Sequence, residues 1–429
     1  MPRKKGNAFS SLCNCIGMIG ENRKRAYWNE IIKEAETEKA IYTGDSAIAP
    51  LYVSDKPYIF PQVDKPGFML YHLNWGCENV SGEANAILNV LNSFGIHCTL
   101  VNINRGVRFN QYVIEPGVGT KVQSIMKLEK EFQVALHCNA VLSFDNGYVL
   151  VEVPSGTENL YLGDMLIDDK YKNASGYPMA IGMAVDGTKY YMDISEACHI
   201  LISGMTGSGK SIMLHNLIIS LLMKKNPVQM HLYIIDPKAT EFGYYKSLAI
   251  CSVITKVNDA VELLNNLCIE MEHRYSILKS AGCRDIESYN KKFADKPMRR
   301  DIVFIDELSD LMGMGGKSVE EHIVRIAQKA RACGIHLILA TQYPVAKVVT
   351  GLIKANMPTK ICLRVGTVTN SMVALDMPGG EKLMGHGDML FLSNGSLRPI
   401  RLQCGMVSET AINNVVFELM KNQQVCENL

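Results

Sequence analysis

At 429 residues the chain is long enough for two or three domains, and 47% apolar residues suffice to fill their cores. A net charge of +1 excludes a protein that holds a polyanion through overall basicity, so any nucleic acid would have to meet a local basic surface. The thirteen cysteines are scattered, odd in number and without a CxxC pair (Cys13 and Cys15 form a lone CxC), which argues against disulfides or zinc and for a reducing, cytoplasmic compartment.

Arg3, Lys4 and Lys5 open the chain, and Arg23, Lys24 and Arg25 follow a mildly apolar stretch from Phe9 to Ile19. Ser10, Ser11 and Asn14 dilute that stretch below a signal peptide, so a flexible basic arm is preferred to a membrane-surface helix. A charged helix is expected from Trp28 to Ala40, then a linker dotted with Pro50, Pro57, Pro61 and Pro66. Residues 1–65 thus read as arm and linker, and 66–172 as a small α/β subdomain. Within it Val80 to Phe94 suits a helix, and Val149 to Val153 a strand ended by Pro154-Ser155-Gly156. From 173 to 429 near-continuous apolar runs alternate with helical stretches. Leu232–Ile235, Ile302–Ile305, Leu337–Ala340 and Ile361–Leu363 suit parallel strands of a sheet covered on both faces, and Glu409 to Asn422 a closing helix. No run of eighteen apolar residues predicts a transmembrane segment.

Gly204-Met205-Thr206-Gly207-Ser208-Gly209-Lys210-Ser211 fits the phosphate-binding P-loop at every fixed position. The glycines let successive backbone N–H groups face an anion, Lys210 can reach the terminal phosphates of ATP, and the Ser211 hydroxyl can hold Mg²⁺. The setting is the required one. A buried strand, His199 to Ser203, precedes the loop, and a helix opening at Ile212 and running to Met223 follows it, adding its dipole to phosphate binding.

An ATPase also needs a carboxylate for the metal shell and a base for the attacking water. Asp306 and Glu307, at the end of the strand Ile302–Ile305, supply both: Asp306 through the water shell of Mg²⁺, Glu307 by polarising the nucleophile. Alone the pair would suit any acidic turn; downstream of a good P-loop it reads as the Walker B segment. Thr341 and Gln342 end a further strand, and in a parallel sheet carboxyl ends face the ligand crevice, so either could reach the γ-phosphate or the water. Arg325, Arg331 and Arg364 lie where a neighbouring subunit would meet the nucleotide, and an arginine supplied in trans is worth on the order of 10³–10⁵ in rate.

Together these stretches resemble the motor domain of the FtsK/SpoIIIE family of DNA translocases. The match includes Gly204–Ser211, Ile235–Phe242, Glu270–Tyr275, Asp306-Glu307, Ala327–Leu337, Ala340–Gln342, Thr350–Asn356 and Gly380–Leu390. Gly106 to Ile125 and Val151 to Pro154 look like the family's smaller subdomain. The resemblance implies an α/β, RecA-like P-loop NTPase core with a mainly parallel, helix-covered sheet. It also implies a homo-oligomeric ring, usually a hexamer, around double-stranded DNA, with ATP between subunits. Such a motor grips phosphates rather than reading bases, and Lys238, Lys347 and Lys354 are candidates for DNA or intersubunit contacts.

Two departures stand out. Tyr343 occupies a position where the family often has arginine after Ala-Thr-Gln, and Ser371-Met372-Val373 stands where it has Ser-Arg-Thr. They leave Arg331 and Arg364 as the better candidates for an arginine acting in trans. The expected function is ATP-driven translocation of double-stranded DNA. With no membrane segment before the motor and one helix after it, the chain reads as a short, mobile-element form serving conjugative, plasmid or phage DNA transfer. The alternative is an ATP-binding coupling protein that recruits a relaxase-like partner or a membrane transfer apparatus through residues 1–65, peripheral to the membrane. A ring directed at single strands or proteins ranks last, since few aromatics stand in the expected pore loops.

Overall fold

In the computed structural model, residues 80–155 and 159–427 are described; the expectations for residues 1–65 lie outside them. The first unit is a four-stranded antiparallel sheet in the order β1-β2-β4-β3, formed by β1 (Cys98–Arg105), β2 (Phe109–Pro116), β3 (Val141–Asp145) and β4 (Tyr148–Pro154). Asn146 (φ 49°) and Gly147 (φ 91°) join β3 to β4, the two left-handed residues that a tight hairpin turn requires. Helices α1 (Val80–Ser93) and α2 (Glu129–Leu136) cover one face. Ala84, Ile87 and Leu91, at helical spacing on α1, pack with Tyr112, Ile114, Val149 and Val151 from the strands.

The second unit is a ten-stranded sheet: β5 (Pro178–Met183), β6 (Lys189–Asp193), β7 (Ile200–Ser203), β8 (Met230–Ile235), β9 (Cys251–Ile254), β10 (Arg300–Ile305), β11 (Ile335–Thr341), β12 (Thr359–Leu363), β13 (Asp388–Leu392) and β14 (Ile400–Gln403). Their order is β6-β5-β14-β13-β12-β7-β11-β10-β8-β9. The strands from β12 to β9 pair in parallel, and β13, β14, β5 and β6 extend the sheet antiparallel. In the parallel strands alternate residues serve opposite cores. Ile200, Ile202, Leu232, Ile234, Ile302 and Phe304 face the core roofed by α3 (Lys210–Leu222). Leu201, Tyr233, Ile235, Val303 and Ile305 face the other, roofed by α4 (Val257–Ala281) and α5 (Leu308–Lys329). Burial on both faces is why these strands read as unbroken apolar runs. The smaller helix α6 (Val368–Leu375) lies against β12, and the last, α7 (Glu409–Glu427), adds Ile412, Val415, Val416 and Leu419 to the first core.

Leu160, Leu162, Met165, Leu166 and Tyr171, which the sequence reading assigns to the small subdomain, pack into the core of the ten-stranded sheet. No change of composition marks that crossover. Arg401 ties the units together: it makes a bidentate pair with Asp388 (2.9 and 2.7 Å), reaches Glu152 on β4 and stacks 4.3 Å over the Phe109 ring. The cysteines among the described residues are all free.

The motif Glu270–Tyr275 has a structural task at the amino ends of the strands. Arg274, 2% exposed, pairs with Glu270 (2.8 Å) and Asp301 and donates to the carbonyls of Arg299 and Cys333 (3.0 Å each). It clamps α4 onto β10 and the turn before β11. At the same ends of the strands the His199 ring nitrogen Nδ1 accepts the Leu337 N–H at 3.0 Å, and on α3, across the sheet, His215 meets the Tyr245 hydroxyl at 2.8 Å.

Burial pushes both histidines down to about 4, and His231 and His336 are lowered as well. An unfolded histidine takes its proton near pH 6.5, so between there and 4 the unfolded chain binds more protons than the folded one. Stability is therefore full above about pH 6.5 and drains as pH falls, on the order of 2 kcal/mol per histidine at pH 5. Urea midpoints are expected to drop between pH 7 and pH 5, with a shallower drop for His215→Gln.

Candidate active site

The P-loop leaves β7 and enters α3, and its shape is fixed by neighbours on both sides. Gly204 N–H donates to the Thr341 carbonyl (3.1 Å), and Met205 N–H to that of Arg364 (2.9 Å), so the strands flanking β7 hold the entry. Gly385-His386-Gly387 braces the outer wall: Gly387 N–H donates to the Ser208 carbonyl at 2.7 Å. Gly209, at φ 101°, caps α3, and a Cβ there would lie 2.6 Å from Gly387 N. Only glycine satisfies both the conformation and the space. Met205, Thr206 and Gly207 form the exposed tip, Ser208 Oγ is buried without a hydrogen-bond partner, and Ile212 packs against the core beneath.

Lys210, 4% exposed, pairs with Asp306 Oδ1 at 2.7 Å, which joins the P-loop to the end of β10. Burial raises the Asp306 carboxyl above the usual range, and the Lys210 ammonium opposes that rise. Asp236, at the end of β8, folds the following loop back by accepting the N–H groups of Ala239 (3.0 Å), Glu241 (3.2 Å) and Phe242 (3.2 Å). That turn brings Glu241 to the half-buried Ser211 hydroxyl, beside Asp306 and Asp236; burial and these two carboxylates raise its carboxyl. Ser211, Asp306 and Glu241 form an all-oxygen donor set that suits Mg²⁺ held through water and phosphate oxygens. Among the described residues no cluster of three acidic, His or Cys side chains forms a cage for a metal on its own. Glu241 escaped the sequence reading as a site residue, because nothing in its spacing from Asp236 reveals the turn.

Glu307 is 1% exposed and tightly held. Its carboxylate accepts the hydroxyls of Thr341 and Ser309 (2.7 Å each) and the Gln342 N–H (3.0 Å). Thr341 Oγ1 in turn accepts the Tyr343 N–H at 3.1 Å. The Gln342 side chain reaches the other way: Thr206 Oγ1 at the P-loop tip donates to its Oε1 at 2.8 Å. The carboxyl end of β11, which lies between β7 and β10, therefore connects the phosphate loop to the Walker B glutamate. Thr341→Val removes one charge-assisted hydrogen bond from Glu307. It is expected to lower kcat about tenfold with nucleotide affinity unchanged, as single-turnover and binding measurements would show.

The remaining candidates separate. Arg331 lies in the turn before β11, near Cys198 and His199, at the end of the sheet opposite its own P-loop. Arg325 pairs with Glu272 (3.0 Å). Arg364 follows β12 directly beside the P-loop. Lys238 faces Asp310 (3.6 Å), and Lys354 is held by Asp376 (2.5 Å), whereas Lys347 is exposed. Around Lys354 the surface is apolar: Tyr343, Val345, Leu352, Val368 and Met372 are all exposed. They share one edge, since Asn370 of α6 donates to the Pro344 carbonyl (3.0 Å) and Lys354 to that of Met372 (3.0 Å).

A phosphate loop after a central strand, an acidic pair two strands away and a polar strand end between them define a RecA-like P-loop NTPase. The chain belongs to the FtsK/SpoIIIE family: the family model matches residues 162–346, and that of the FtsK alpha domain matches residues 75–155. DNA translocase FtsK of Caldanaerobacter subterraneus subsp. tengcongensis is 34% identical over 92% of this chain and 56% of its own length. DNA translocase SftA of Bacillus subtilis is 37% identical over 76% of this chain and 36% of its own. The chain thus spans about half or less of the curated relatives it matches. Among solved structures, the pCW3 conjugation coupling protein TcpA with ATPγS shares the fold at a TM-score of 0.58 and 24% identity, over 80% of this chain and 99% of that one. The cytoplasmic domain of the Thermomonospora curvata type VII secretion ATPase EccC does so at 0.53 and 24%, over 62% and 34%. Among the described residues no helix is long and apolar enough to cross a membrane.

Proposed function

We propose that this chain hydrolyses ATP to drive double-stranded DNA through a ring of its own copies, six by the family's habit, in conjugative, plasmid or phage DNA transfer. The observation that carries the reading is the connection from Thr206 through Gln342 to Glu307, which ties a phosphate loop to a held base. A protein that only bound nucleotide would have no need of it. Lys210, exchanging Asp306 for phosphate, neutralises the β- and γ-phosphates. Mg²⁺ carried by the nucleotide would supply further charge neutralisation; Ser211 would hold it, with Asp306 and Glu241 on its waters. Glu307 orients the attacking water, and Gln342 senses the γ-phosphate through Thr206. Arg331, at the far end of the sheet from its own P-loop, would serve a neighbouring subunit.

One observation favours a second reading, a coupling protein whose ATP cycle governs a protein partner. The edge bearing Tyr343, Leu352, Val368 and Met372 is apolar, and Lys354 within it is already paired. Phosphate-gripping loops would present several free cations there, whereas Lys347 is the one exposed lysine between Tyr343 and Asn356. ATP hydrolysis measured with linear duplexes of increasing length separates the two. Translocation predicts stimulation that grows with length, fades with salt and vanishes in Lys210→Ala. A flat response to DNA in a protein that still binds ATP would overturn it.

A further inference from the structure

Arg364 invites a different assignment from the one its sequence position suggests. Strand β12 runs parallel to β7 in the register Thr359↔Ile200 to Cys362↔Ser203, so the residue after β12 comes alongside the start of the P-loop. The backbone is pinned on both sides there: the Arg364 carbonyl accepts the Met205 N–H (2.9 Å), and the next N–H, of Val365, reaches the Gly380 carbonyl (3.1 Å). The side chain runs along the loop. A Cβ placed on Gly385 would lie 3.6 Å from Arg364 Cδ and 3.7 Å from the Gly207 carbonyl oxygen, so the arginine stem lies beside the exposed tip.

Lys347, on the loop after β11, is exposed, but the other lysines around the mouth of the P-loop are compensated. Lys210 pairs with Asp306, Lys238 with Asp310, Lys354 with Asp376 and Lys382 with Glu129. Arg364 is exposed, and among the described residues its side chain has no hydrogen-bond or ion-pair partner. An unpaired planar cation on an anchored backbone, at the mouth of a phosphate loop, matches the bidentate geometry that phosphate oxygens offer.

We propose that Arg364 binds the terminal phosphate of the nucleotide in its own subunit, in cis, closing the lip opposite the Thr206–Gln342 contact. The inference rests on the P-loop reading above and replaces the expectation that Arg364 serves a neighbour. In a P-loop the backbone N–H groups cradle the α- and β-phosphates and the lysine reaches the β- and γ-phosphates, so an arginine beside Met205 to Gly207 stands along the path of the phosphate chain. ADP lacks the group that Arg364 would hold, so the arginine discriminates between the two nucleotides.

The test is equilibrium binding of ATPγS and of ADP, with Mg²⁺, to the full chain at concentrations where sedimentation shows single subunits. Wild type is compared with Arg364→Gln, Arg364→Lys and Lys210→Ala. Arg364→Gln is expected to weaken ATPγS about 10- to 100-fold and ADP less than about threefold, with partial recovery in Arg364→Lys. Unchanged ATPγS binding in Arg364→Gln, while Lys210→Ala loses it, would overturn the cis contact and leave the P-loop reading standing. A defect that emerges only in assembled protein would also overturn it, by placing the arginine in trans. Intact binding in Lys210→Ala would instead remove the P-loop reading and this inference with it.

Discussion

Glu307→Gln is expected to lower ATP turnover by about 10²–10⁴-fold while leaving ATP affinity within a few-fold of wild type. The variant keeps the volume of the side chain and an oxygen to accept the Thr341 hydroxyl and the Gln342 N–H, now 2.7 and 3.0 Å from the carboxylate. The buried end of β10 therefore has no reason to rearrange. What would be lost is the negative charge proposed to draw a proton from the attacking water. Phosphate release under saturating ATP, beside direct nucleotide binding, separates this outcome from its rivals. A parallel fall in affinity would mean that Glu307 supports the loop rather than the chemistry. Near-normal turnover would assign the base elsewhere, with Glu241, at the Ser211 hydroxyl, the next candidate.

The second large effect is on stability. Arg274→Leu leaves Asp301, 2% exposed, and Glu270 without their shared cation, and it orphans the carbonyls of Arg299 and Cys333. Removing one partner of a buried pair costs about 3–5 kcal/mol. Arg299, which reaches Asp301 Oδ1 at 3.1 Å, offsets part of the loss and argues for the lower end of that range. Arg274 is buried at the amino ends of the strands, far from the P-loop. A lowered urea midpoint with unchanged ATP affinity in the surviving folded fraction is the expected pattern. A wild-type midpoint would show that α4 is held to β10 by its apolar contacts alone.

The parts of this protein that sequence makes legible are those whose chemistry is local. The P-loop needs its glycines and lysine at fixed places within eight consecutive residues, and the strands that carry Ser203, Ile235, Ile305 and Thr341 to the crevice are buried on both faces, so each stands out as an apolar run. The antiparallel extension is harder to read. The strand β6 is half-exposed, and β14 runs from an exposed Ile400 to a buried Gln403, so neither shows a continuous run. The site's remaining members depend on distant segments meeting. Glu241 reaches Ser211 only because Asp236 collects three N–H groups, and Arg364 reaches the P-loop only because β12 pairs with β7. The motif Glu270–Tyr275 shows the converse: a strong sequence signal that serves packing rather than the nucleotide.

Displacement of a third strand from duplex DNA is the most direct measurement of the central claim. A long linear duplex carrying a triplex-forming oligonucleotide at one end is mixed with the full chain and ATP. Translocation predicts release of the oligonucleotide that requires hydrolysable ATP, slows as the duplex ahead of the triplex is lengthened, and is absent in Lys210→Ala and Glu307→Gln. A third strand that stays bound on every duplex, while the protein hydrolyses ATP, would contradict translocation and leave a coupling role for the ATPase.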